Sequence, residues 1–551
     1  MNVLVLYNAD DPDAATVASY YADARDISLA QLCAVPGVDP LAPAMTFDDY
    51  AAVIQPAFRA CLAAIPQSDE IDYVVTIRGL PYRIDITDGY SASLEAMLQV
   101  DGGVDADGIA IDGQPQKYST LAGTYEAAVQ NPAFIDGTAS DGDFTVTNPY
   151  SASYQSAPAV VRNTRQPKSF HASSNWASRT SDLTGHFYVV TRLDGFDYDD
   201  ARALVDRGSA ADGTFPDAEL MCMAAADDAR GARDPECEYT TRMLTAAGFN
   251  GSWVTPYDGA LSGHTVAAYF TGSADLTGAI AGESYVPGAI ADNLTSFGAL
   301  PQNFFCSDDG LTCPASEAQT SIARFVRAGA TGAHGTVNEP LNDVFPLAST
   351  LLFYTFGYNL GESQLFAERY LYWQNLYLGD PLTTPYAERP VVSLPASVPE
   401  GSALTVTATH PDGISEIRVY VDGAYVGGDV TDSATLDFAT TFPGAIVGDV
   451  HEVIAVAIAT DAPVTRTGWP VPDQSPRPQT QGWERVELTI TDALPADSGS
   501  DSGAADSGGP ADSGATKSGP KGCGCAATGD LGAGWPAFLL GTVLLARRGR
   551  R

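Results

Sequence analysis

The sequence predicts an α/β protein that carries a separate β-sandwich near its C-terminus. Residues 1 to about 388 alternate short apolar strands with amphipathic helices, which is typical of parallel sheets covered on both faces. Residues 389–492 change to strands in which apolar and polar side chains alternate with a period of two. At 551 residues the chain is too long for one hydrophobic core, so we expect several domains.

The first α/β half, residues 1–84, begins with a buried strand. Val3 to Leu6 are apolar and precede the turn-rich segment "NADDPD". Asp11 can cap a helix that has Pro12 at its first position, and "DAATVASYYADARDI" carries apolar residues on one face. A second helical run, "FDDYAAVIQPAFRACLAAI", is expected to bend at Pro56, and "DYVVTIRG" predicts the next strand.

The second α/β half, residues 186–388, repeats this logic after a loop-rich insertion over residues 85–185. Strands are predicted in "HFYVVTRLDG", "AELMCMAA" and "HTVAAYF", and helices in "DYDDARALVDRGSA" and "EYTTRMLTAAG". The segment "EAQTSIARFVRAGATGAHGTVNEP" predicts a helix and then a tight turn. The segment "LASTLLFYTFGYNLGESQLFAERYLYWQNLYLGDP" predicts aromatic helices whose rings form core.

The C-terminal strands predict an immunoglobulin-like β-sandwich over residues 389–492. The runs "LTVTATH", "ISEIRVYVDGAYVGGDV", "TLDFATTF", "HEVIAVAIAT" and "RVELTIT" alternate with a period of two, and Asp422-Gly423 predicts a type I′ hairpin turn. Such a module is expected to act as a spacer, with carbohydrate binding as the alternative.

The charge of the chain argues against nucleic-acid partners. Lys plus Arg total 29 against 68 Asp plus Glu, and a net charge of -39 repels phosphate backbones. It suits a solvated extracellular protein or one that collects divalent cations. In "DGGVDADGIAID", Asp101, Asp105, Asp107 and Asp112 lie among glycines and are candidate calcium ligands, with a solvated loop as the alternative. The six histidines show no metal-ligand spacing.

Six of the eight cysteines occur as local pairs, which predicts disulfides in an exported protein. Sequence does not choose among the pairings, and unpaired thiols in a reducing cytosol are the alternative. The candidate pairs are Cys33 with Cys61, Cys222 with Cys237, and Cys306 with Cys313 around the polar turn "SDDGLT".

The C-terminal end contains a tether followed by a short apolar stretch. We expect a disordered linker over residues 493–522, because the part from about Ala496 to Gly522 repeats "DSG" four times and carries no large apolar residue to bury. The apolar stretch from about Leu531 to Ala546 is close to the length that spans a bilayer, and four arginines follow it.

These parts, over residues 523–551, resemble the MYXO-CTERM sorting tails of myxobacterial surface proteins. The matching residues are "GCGC" at 522–525, the stretch Trp535 to Ala546, and "RRGRR". The resemblance implies a C-terminal processing protease as partner, cleavage near a cysteine, and lipid modification of Cys523 or Cys525. It also implies anchoring through the tail and display on the outer cell surface. Because "MNVLVLYNADDP" is no export signal, we expect the reading frame to begin upstream with a signal peptide.

The body also carries a resemblance. "DYVVTIRGLP", "YVVTRLDGFDYDDARALVD", "ARFVRAGATGAHGTV" and "YLGDPL" resemble, in order, elements of gingipain-type cysteine peptidases and of an uncharacterised family of exported bacterial proteins. The resemblance implies a caspase-like fold of two Rossmann-like halves. It places the catalytic histidine at Thr271, before Gly272, and the cysteine close to Val286, with Ser284 as a further candidate. Thr271 and Val286 supply neither base nor nucleophile, which indicates a pseudo-peptidase.

Other polar residues are candidates for a shifted site. His334 precedes Gly335 and can form a dyad with Cys306 or Cys313 if those thiols are unbridged. Four further candidates follow predicted strand or helix ends, where α/β folds border a ligand crevice, with ion pairs and turn caps as the alternative. These four are Arg192, Asp194, Glu339 and Asp380.

We therefore expect a surface-anchored exported protein that binds or supports without catalysing, on a degenerate peptidase scaffold. The alternative is a hydrolase, such as a cysteine peptidase that uses Cys306 or Cys313 with His334. No cofactor other than calcium is indicated.

Overall fold

The computed structural model describes only part of the 551-residue chain. The described residues are 2–87, 90–101, 103–104, 129–130, 184–185, 188–305, 319–340, 342, 345–368, 370–371, 373–460 and 480–493. They all belong to one compact unit, Met1–Leu494. Most of the insertion over residues 85–185, the linker and the tail lie outside them. So do several candidate residues, namely Asp105, Asp107, Asp112, Cys306, Cys313, Cys523 and Cys525.

A ten-stranded sheet forms the centre of the body. Its strands, in order across the sheet, are β12 (Gly251–Val254), β11 (Glu219–Met223), β13 (Thr265–Thr271), β14 (Ser284–Asn293), β15 (Gly332–Thr336), β17 (Asn375–Gly379), β10 (Val189–Leu193), β4 (Tyr73–Ile77), β1 (Val3–Asn8) and β2 (Leu32–Val35). Neighbours pair in parallel on both sides of the centre, and β15 pairs antiparallel with β17. The predicted α/β class is confirmed, and the two predicted halves share one continuous sheet.

The inner strands are buried on both faces, as the apolar runs predict. Every residue of β4, β10, β15 and β17 is buried. The helices that accompany the sheet are α1 (Pro12–Ala24), α2 (Phe47–Ala52), α3 (Ile54–Ala64), α4 (Leu94–Gln99), α5 (Tyr198–Ala211), α6 (Asp234–Ala246), α7 (Thr277–Gly282), α8 (Ala323–Ala328), α9 (Thr350–Thr355) and α10 (Leu360–Ala367). Asp11 caps α1 as predicted, because its side chain accepts from the backbone N–H groups of Asp13 and Ala14.

Shorter strands pair outside this sheet. β3 (Ala44–Thr46), β5 (Arg83–Thr87) and β6 (Tyr90–Ser93) form a three-stranded sheet. β7 (Gly103–Val104) pairs with β9 (Thr184–Gly185), and β8 (Val129–Gln130) pairs with β16 (Tyr370–Leu371).

Two local predictions were wrong, and one strand was not predicted. The bend predicted at Pro56 occurs earlier, at Val53, which separates α2 from α3, so that Pro56 lies in the first turn of α3 where proline is tolerated. The helix and turn predicted in "EAQTSIARFVRAGATGAHGTVNEP" are present as α8 and Gly329, whose φ is 119°, but the buried strand β15 that follows was not predicted. The segment "NLYLG", predicted as helix, is β17. The glycines of β15 allow close packing: a Cβ on Gly335 would lie 2.7 Å from Ile322 Cγ2.

The C-terminal β-rich region contains two sheets that share one core. One sheet is formed by β18 (Val391–Ser393), β20 (Leu404–Thr409) and β23 (Ser433–Leu436). The other has the order β19 (Ser397–Pro399), β25 (Gln481–Thr491), β24 (Val450–Ala459), β21 (Ile414–Val421) and β22 (Ala424–Asp429), and the short helix α11 (Phe438–Thr441) follows β23. Val406 of the first sheet and Val419 and Val453 of the second are buried in the same core. Asp422 and Gly423 both have positive φ, at 50° and 79°, as the predicted turn requires.

Polar side chains fasten this region to the body. The Arg389 Nε donates to Asp212 Oδ2 at 2.9 Å, and its guanidinium lies 4.7 Å from the Trp483 ring centroid. Arg485 of β25 donates to Asp23 Oδ1 at 2.8 Å. β25 is an interior strand, flanked by β19 and β24.

Within the residues described above, no helix is both long enough and apolar enough to cross a membrane. The stretch Trp535 to Ala546 lies beyond them.

Candidate functional site

Arg192 and Asp194 lie together in a buried charge cluster at the carboxyl ends of β4 and β10. Arg192 Nε donates to Glu95 Oε1 at 2.8 Å, and its Nη1 is 3.3 Å from Asp194 Oδ2. Arg78 Nη1 donates to the other Asp194 oxygen at 2.7 Å. Two arginines thus face two carboxylates, and the four formal charges cancel. Removal of one member of such a buried cluster leaves a charge without its partner, which is strongly destabilising.

Four of the five N–H donors of Arg192 are bound within the protein. Two of them bind backbone carbonyls, Nη1 that of Leu80 at 3.2 Å and Nη2 that of Pro81 at 2.6 Å. Its side chain has 0% exposure. Burial alone would lower the pKa of Arg192, but Glu95 and Asp194 outweigh it and raise that pKa. The guanidinium is therefore a permanent charge that secures the turn after β4.

His334 lies in β15, at the centre of the sheet, with both ring nitrogens occupied. Nδ1 is 3.1 Å from Asp292 Oδ2, and Nε2 is 3.0 Å from Asn375 Oδ1. The side chain is 2% exposed, and the Tyr377 ring centroid is 4.8 Å from that of the imidazole. Because a general base needs a free ring nitrogen that reaches the substrate, this imidazole is badly placed for catalysis.

Arg233 completes the ionic surroundings of His334. Its Nη1 is 2.9 Å from Asp292 Oδ1, and its Nη2 donates to the Thr271 carbonyl at 2.9 Å. Burial opposes the ionisation of Asp292, yet Arg233 and His334 outweigh it and lower the pKa of that carboxyl. Asp292 is therefore a buried anion held by two partners.

Glu368 is linked to His334 through Asn375. The Asn375 Nδ2 donates to Glu368 Oε1 at 2.8 Å, and Gln99 Nε2 donates to Oε2 at 3.4 Å. Burial raises the pKa of Glu368 to about 7, in spite of these two hydrogen bonds, which favour the ionised form. It is the one carboxyl in this group whose protonation changes near neutral pH.

The other two candidates lie apart from His334. Asp380 has 0% exposure; it accepts from the Tyr21 hydroxyl at 2.7 Å and from Arg25 Nε at 2.6 Å. Glu339 is exposed and accepts from the Ser296 hydroxyl at 2.6 Å. Asp380 is thus a buried ion-pair partner. The structure does not gather the five candidates into one site, although Arg192 and Asp194 do meet.

The positions aligned with a peptidase dyad do not face each other. Thr271 ends β13, whereas Val286 and Ser284 lie at the amino-terminal end of β14. The residue paired with Thr271 is Asn293. The predicted pairing was wrong because β14 is ten residues long and continues past Gly288, so its carboxyl end comes seven residues after Val286. Neither Thr271 nor Asn293 is a histidine or a cysteine.

The cysteine pairs differ from one another. Cys33 of β2 and Cys61 of α3 form a disulfide. The predicted Cys222–Cys237 bridge is wrong, because both residues are buried free thiols. Burial raises the pKa of the Cys222 thiol well above its usual value, and a protonated thiol does not exchange. The predicted pair Cys306 and Cys313 lies outside the described residues.

Asp101 does not fit the predicted calcium role. Its Oδ1 is 2.8 Å from Arg59 Nη2 and accepts from Gln55 Nε2 at 3.0 Å, and its Oδ2 accepts from Arg59 Nε at 3.2 Å. Both oxygens are therefore bound by donors within the protein. Among the described residues, no cluster of histidine, cysteine and carboxylate side chains could hold a metal ion.

Sequence reasoning missed Asp292, Asn375, Glu368 and Arg233. Asp292 had a usable signal, since the polar pair "DN" follows the apolar run "GAIA", as polar residues do at the end of a buried strand. The other three residues have no comparable signal in the sequence around them. Contacts of this kind become visible only when the sheet is assembled.

No protein-family model and no curated protein sequence matches this chain. Among solved structures it is similar to one described as "Structure of Protease", with 12% identity and a TM-score of 0.40 over 88% of this chain and 96% of that chain. Fibronectin(III)-like modules of Clostridium thermocellum CbhA match 19% of this chain and 96% of theirs, at 19% identity and a TM-score of 0.12. Superoxide reductase (neelaredoxin) from Ignicoccus hospitalis matches 18% of this chain and 80% of its own, at 11% identity and a TM-score of 0.12. At these TM-scores the matches assign neither a fold family nor an activity.

Proposed function

We propose that this protein is exported and anchored at the cell surface, and that its α/β body binds or supports without catalysing a reaction. In this proposal the body is a caspase-like scaffold that has lost its dyad, and the C-terminal β-rich region is an immunoglobulin-like spacer. The tail then carries the processing site at Cys523 or Cys525.

The main observation in favour of a non-catalytic body is the environment of His334. The imidazole is 2% exposed, and its two nitrogens lie 3.1 Å from Asp292 and 3.0 Å from Asn375. A dyad with Cys306 or Cys313 would have to break one of these contacts and expose a ring that packs inside the sheet. The carboxyl ends of β13 and β14 also support a non-catalytic body, because Thr271 and Asn293 lie there, where a peptidase of this fold would have a histidine and a cysteine.

Export is supported by the Cys33–Cys61 disulfide, because stable disulfides are typical of oxidising compartments. The order of linker, cysteines, apolar stretch and arginines in the tail supports anchoring.

The catalytic question can be tested on the purified chain with a broad peptide library and a thiol-reactive active-site probe. We expect neither peptide hydrolysis nor labelling that depends on the native fold. The matched variants are His334→Gln and Cys306→Ser/Cys313→Ser. Hydrolysis by the wild type that both variants abolish would establish the hydrolase and overturn this part of the proposal.

Localisation is tested in the cells that make the protein, with Cys523→Ser/Cys525→Ser as the variant. We expect the wild type in the outer-membrane fraction, accessible to added protease and lacking its C-terminal arginines, and we expect the variant to lose this anchoring. Finding the native chain in the cytosol with its C-terminus intact would refute the surface assignment.

A further inference from the structure

The contacts of His334, Asn375 and Glu368 form a continuous hydrogen-bonded chain inside the body. His334 comes from β15, Asn375 from the start of β17 and Glu368 from the residue after α10. All three are buried, with exposed fractions of 2% for each residue. The amide of Asn375 is the link, since its oxygen faces the imidazole and its nitrogen faces the carboxyl group.

The directions of these hydrogen bonds fix where protons must be. Asp292 and the Asn375 oxygen are both acceptors, so both ring nitrogens of His334 must carry hydrogen for both contacts to be hydrogen bonds. Glu368 Oε1 accepts from the Asn375 amide nitrogen, which an ionised carboxylate does well. The arrangement therefore pairs an imidazolium with a carboxylate across one amide.

A second arrangement holds the same number of protons. If the Asn375 amide turns over, its nitrogen donates to Nε2 of a neutral His334 and its oxygen accepts from a protonated Glu368. His334 then loses the Nε2 proton and Glu368 gains one, so the net charge of the pair is unchanged. In both arrangements the contacts of Asp292 with His334, of His334 with Asn375, and of Asn375 with Glu368 each join a donor to an acceptor.

Removal of that one proton breaks the pattern in either arrangement. A neutral imidazole beside an ionised Glu368 has a single N–H. If the Asn375 amide oxygen points towards the imidazole, one ring nitrogen lone pair must then face an oxygen of Asp292 or Asn375. With the amide reversed, the Asn375 oxygen faces the Glu368 carboxylate. Each outcome places two acceptors in contact at a site away from water, which is costly.

We propose that His334 and Glu368 share a single proton through the Asn375 amide, and that this unit makes the junction of β15, β17 and α10 sensitive to pH near neutrality. Loss of the proton at alkaline pH breaks one hydrogen bond of the chain and loosens the start of β17. The inference is independent of the proposed function, since it needs neither export nor catalysis.

Among the residues that the structure describes, the charged and titratable neighbours are consistent with one shared proton. From β14, Asp292 faces the imidazole, and Arg233, from the residue before α6, balances it at 2.9 Å. From β17, the buried Tyr377 stays protonated, because burial, Glu368 and Asp292 all raise the pKa of its hydroxyl. From α4, Gln99 donates to Glu368 and carries no charge. Burial raises the pKa of Glu368 to about 7, which is the range in which sharing can occur.

The test follows both ends of the chain in the wild-type protein between pH 5.5 and 9. Nitrogen-15 NMR reports the ring protons of His334, and infrared spectroscopy reports the carbonyl stretch of a protonated Glu368. We expect the two signals to change together, as coupled sites do. We also expect Glu368→Gln to remove the infrared band and to alter the pH dependence of the His334 signals.

The matched control is Glu362→Gln, a second buried glutamate on α10 that hydrogen-bonds to Tyr73 and Asn359. It should leave the His334 signals unchanged. Unrelated midpoints for the two wild-type signals would overturn the proposal, as would a Glu368→Gln protein with unaltered His334 signals. If Glu368→Gln does not fold, the wild type alone tests the proposal: coincident midpoints of the two signals support it, and separate midpoints overturn it.

Discussion

At the scale of single residues, the polar side chains that follow the strands neutralise one another. Arg192 and Asp194 follow the pattern of a ligand crevice in the sequence, yet in the structure they are bound to Glu95, Arg78 and two backbone carbonyls. His334 is likewise held by Asp292 and Asn375. A residue in such a position affects stability first, because removal of one member leaves its partner buried without compensation.

Arg192→Met should destabilise the protein by about 3–5 kcal/mol, because Glu95 would stay buried without its arginine. The free energy of unfolding in urea measures this. The matched control is Arg202→Met, which breaks an exposed pair with Asp199 and should cost below about 1 kcal/mol. Adding Glu95→Gln to Arg192→Met should recover part of the loss, and equal losses in single and double variants would contradict the ion-pair explanation.

Glu368→Gln should remove a dependence of stability on pH. A carboxyl whose folded pKa is raised, here from 4.5 to about 7, stabilises the fold fully below the lower value and loses that contribution as pH rises through the higher one. The wild type should therefore lose about 2 kcal/mol between pH 5 and pH 8 from this group. Urea unfolding at both pH values should show the loss in the wild type and in Glu362→Gln. A loss of the same size in Glu368→Gln would exclude this carboxyl as the cause.

At the scale of elements, strands rich in valine were predictable and strands rich in glycine were not. "YVVTI" and "VVTRL" became β4 and β10 as expected. "GAHGT" lacks β-branched side chains apart from its threonine, yet it is β15, because its glycines admit neighbours that any side chain would displace. Strand propensity measures what side chains contribute to a strand. It therefore does not identify a strand in which glycines are needed for close packing.

The candidate site was predictable only where its members are close in sequence. Arg192 and Asp194 could be found together because they flank the same strand end, whereas Glu95 lies 97 residues from its partner Arg192. Asn375 and Asp292 are 41 and 42 residues from His334. A single sequence gives no indication that residues so far apart in the chain are in contact. Only the folded structure shows which of them meet.

The disulfide between β2 and α3 closes a loop with a sequence separation of 28. Its loss in Cys33→Ala/Cys61→Ala should lower stability by about 3–4 kcal/mol, because the unfolded chain regains the entropy of the open loop. Urea unfolding with and without a reductant measures the effect. The reductant should destabilise the wild type and leave the variant unchanged; equal destabilisation of both would place the sensitive bond elsewhere.

At the scale of the whole described unit, the β-rich region is fastened to the body by a few polar contacts. Arg389 bonds Asp212 of the body, donates to the Gln481 carbonyl at 2.9 Å and stacks on Trp483. Arg485 reaches Asp23 and the Ile27 carbonyl on the other side of β25. Further contacts lie on β21 and β24, where the Tyr420 hydroxyl donates to Glu70 and the Ser28 hydroxyl of the body donates to Glu452. The junction therefore extends over several strands of this sheet.

Arg389→Ala should weaken this junction without unfolding either core. We expect faster amide exchange in β18 and at the start of β25, equivalent to a loss of about 1–3 kcal/mol of local stability. Hydrogen exchange followed by mass spectrometry measures it. Arg242→Ala, which breaks an exposed helix pair with Glu238, is the control and should leave these peptides unchanged. Unaltered exchange in the Arg389 variant would show that other contacts hold the regions together.

The interior position of β25 has a mechanical consequence. The chain continues from Thr491 towards the linker, so tension applied along it loads a strand that is hydrogen-bonded to β19 on one side and to β24 on the other. Pulling parallel to such a strand shears both ladders at once, whereas an edge hairpin would peel open one bond at a time. Load from that direction would therefore be shared across the sheet and passed to the body through contacts on several strands, among them Arg485 of β25 and Glu452 of β24.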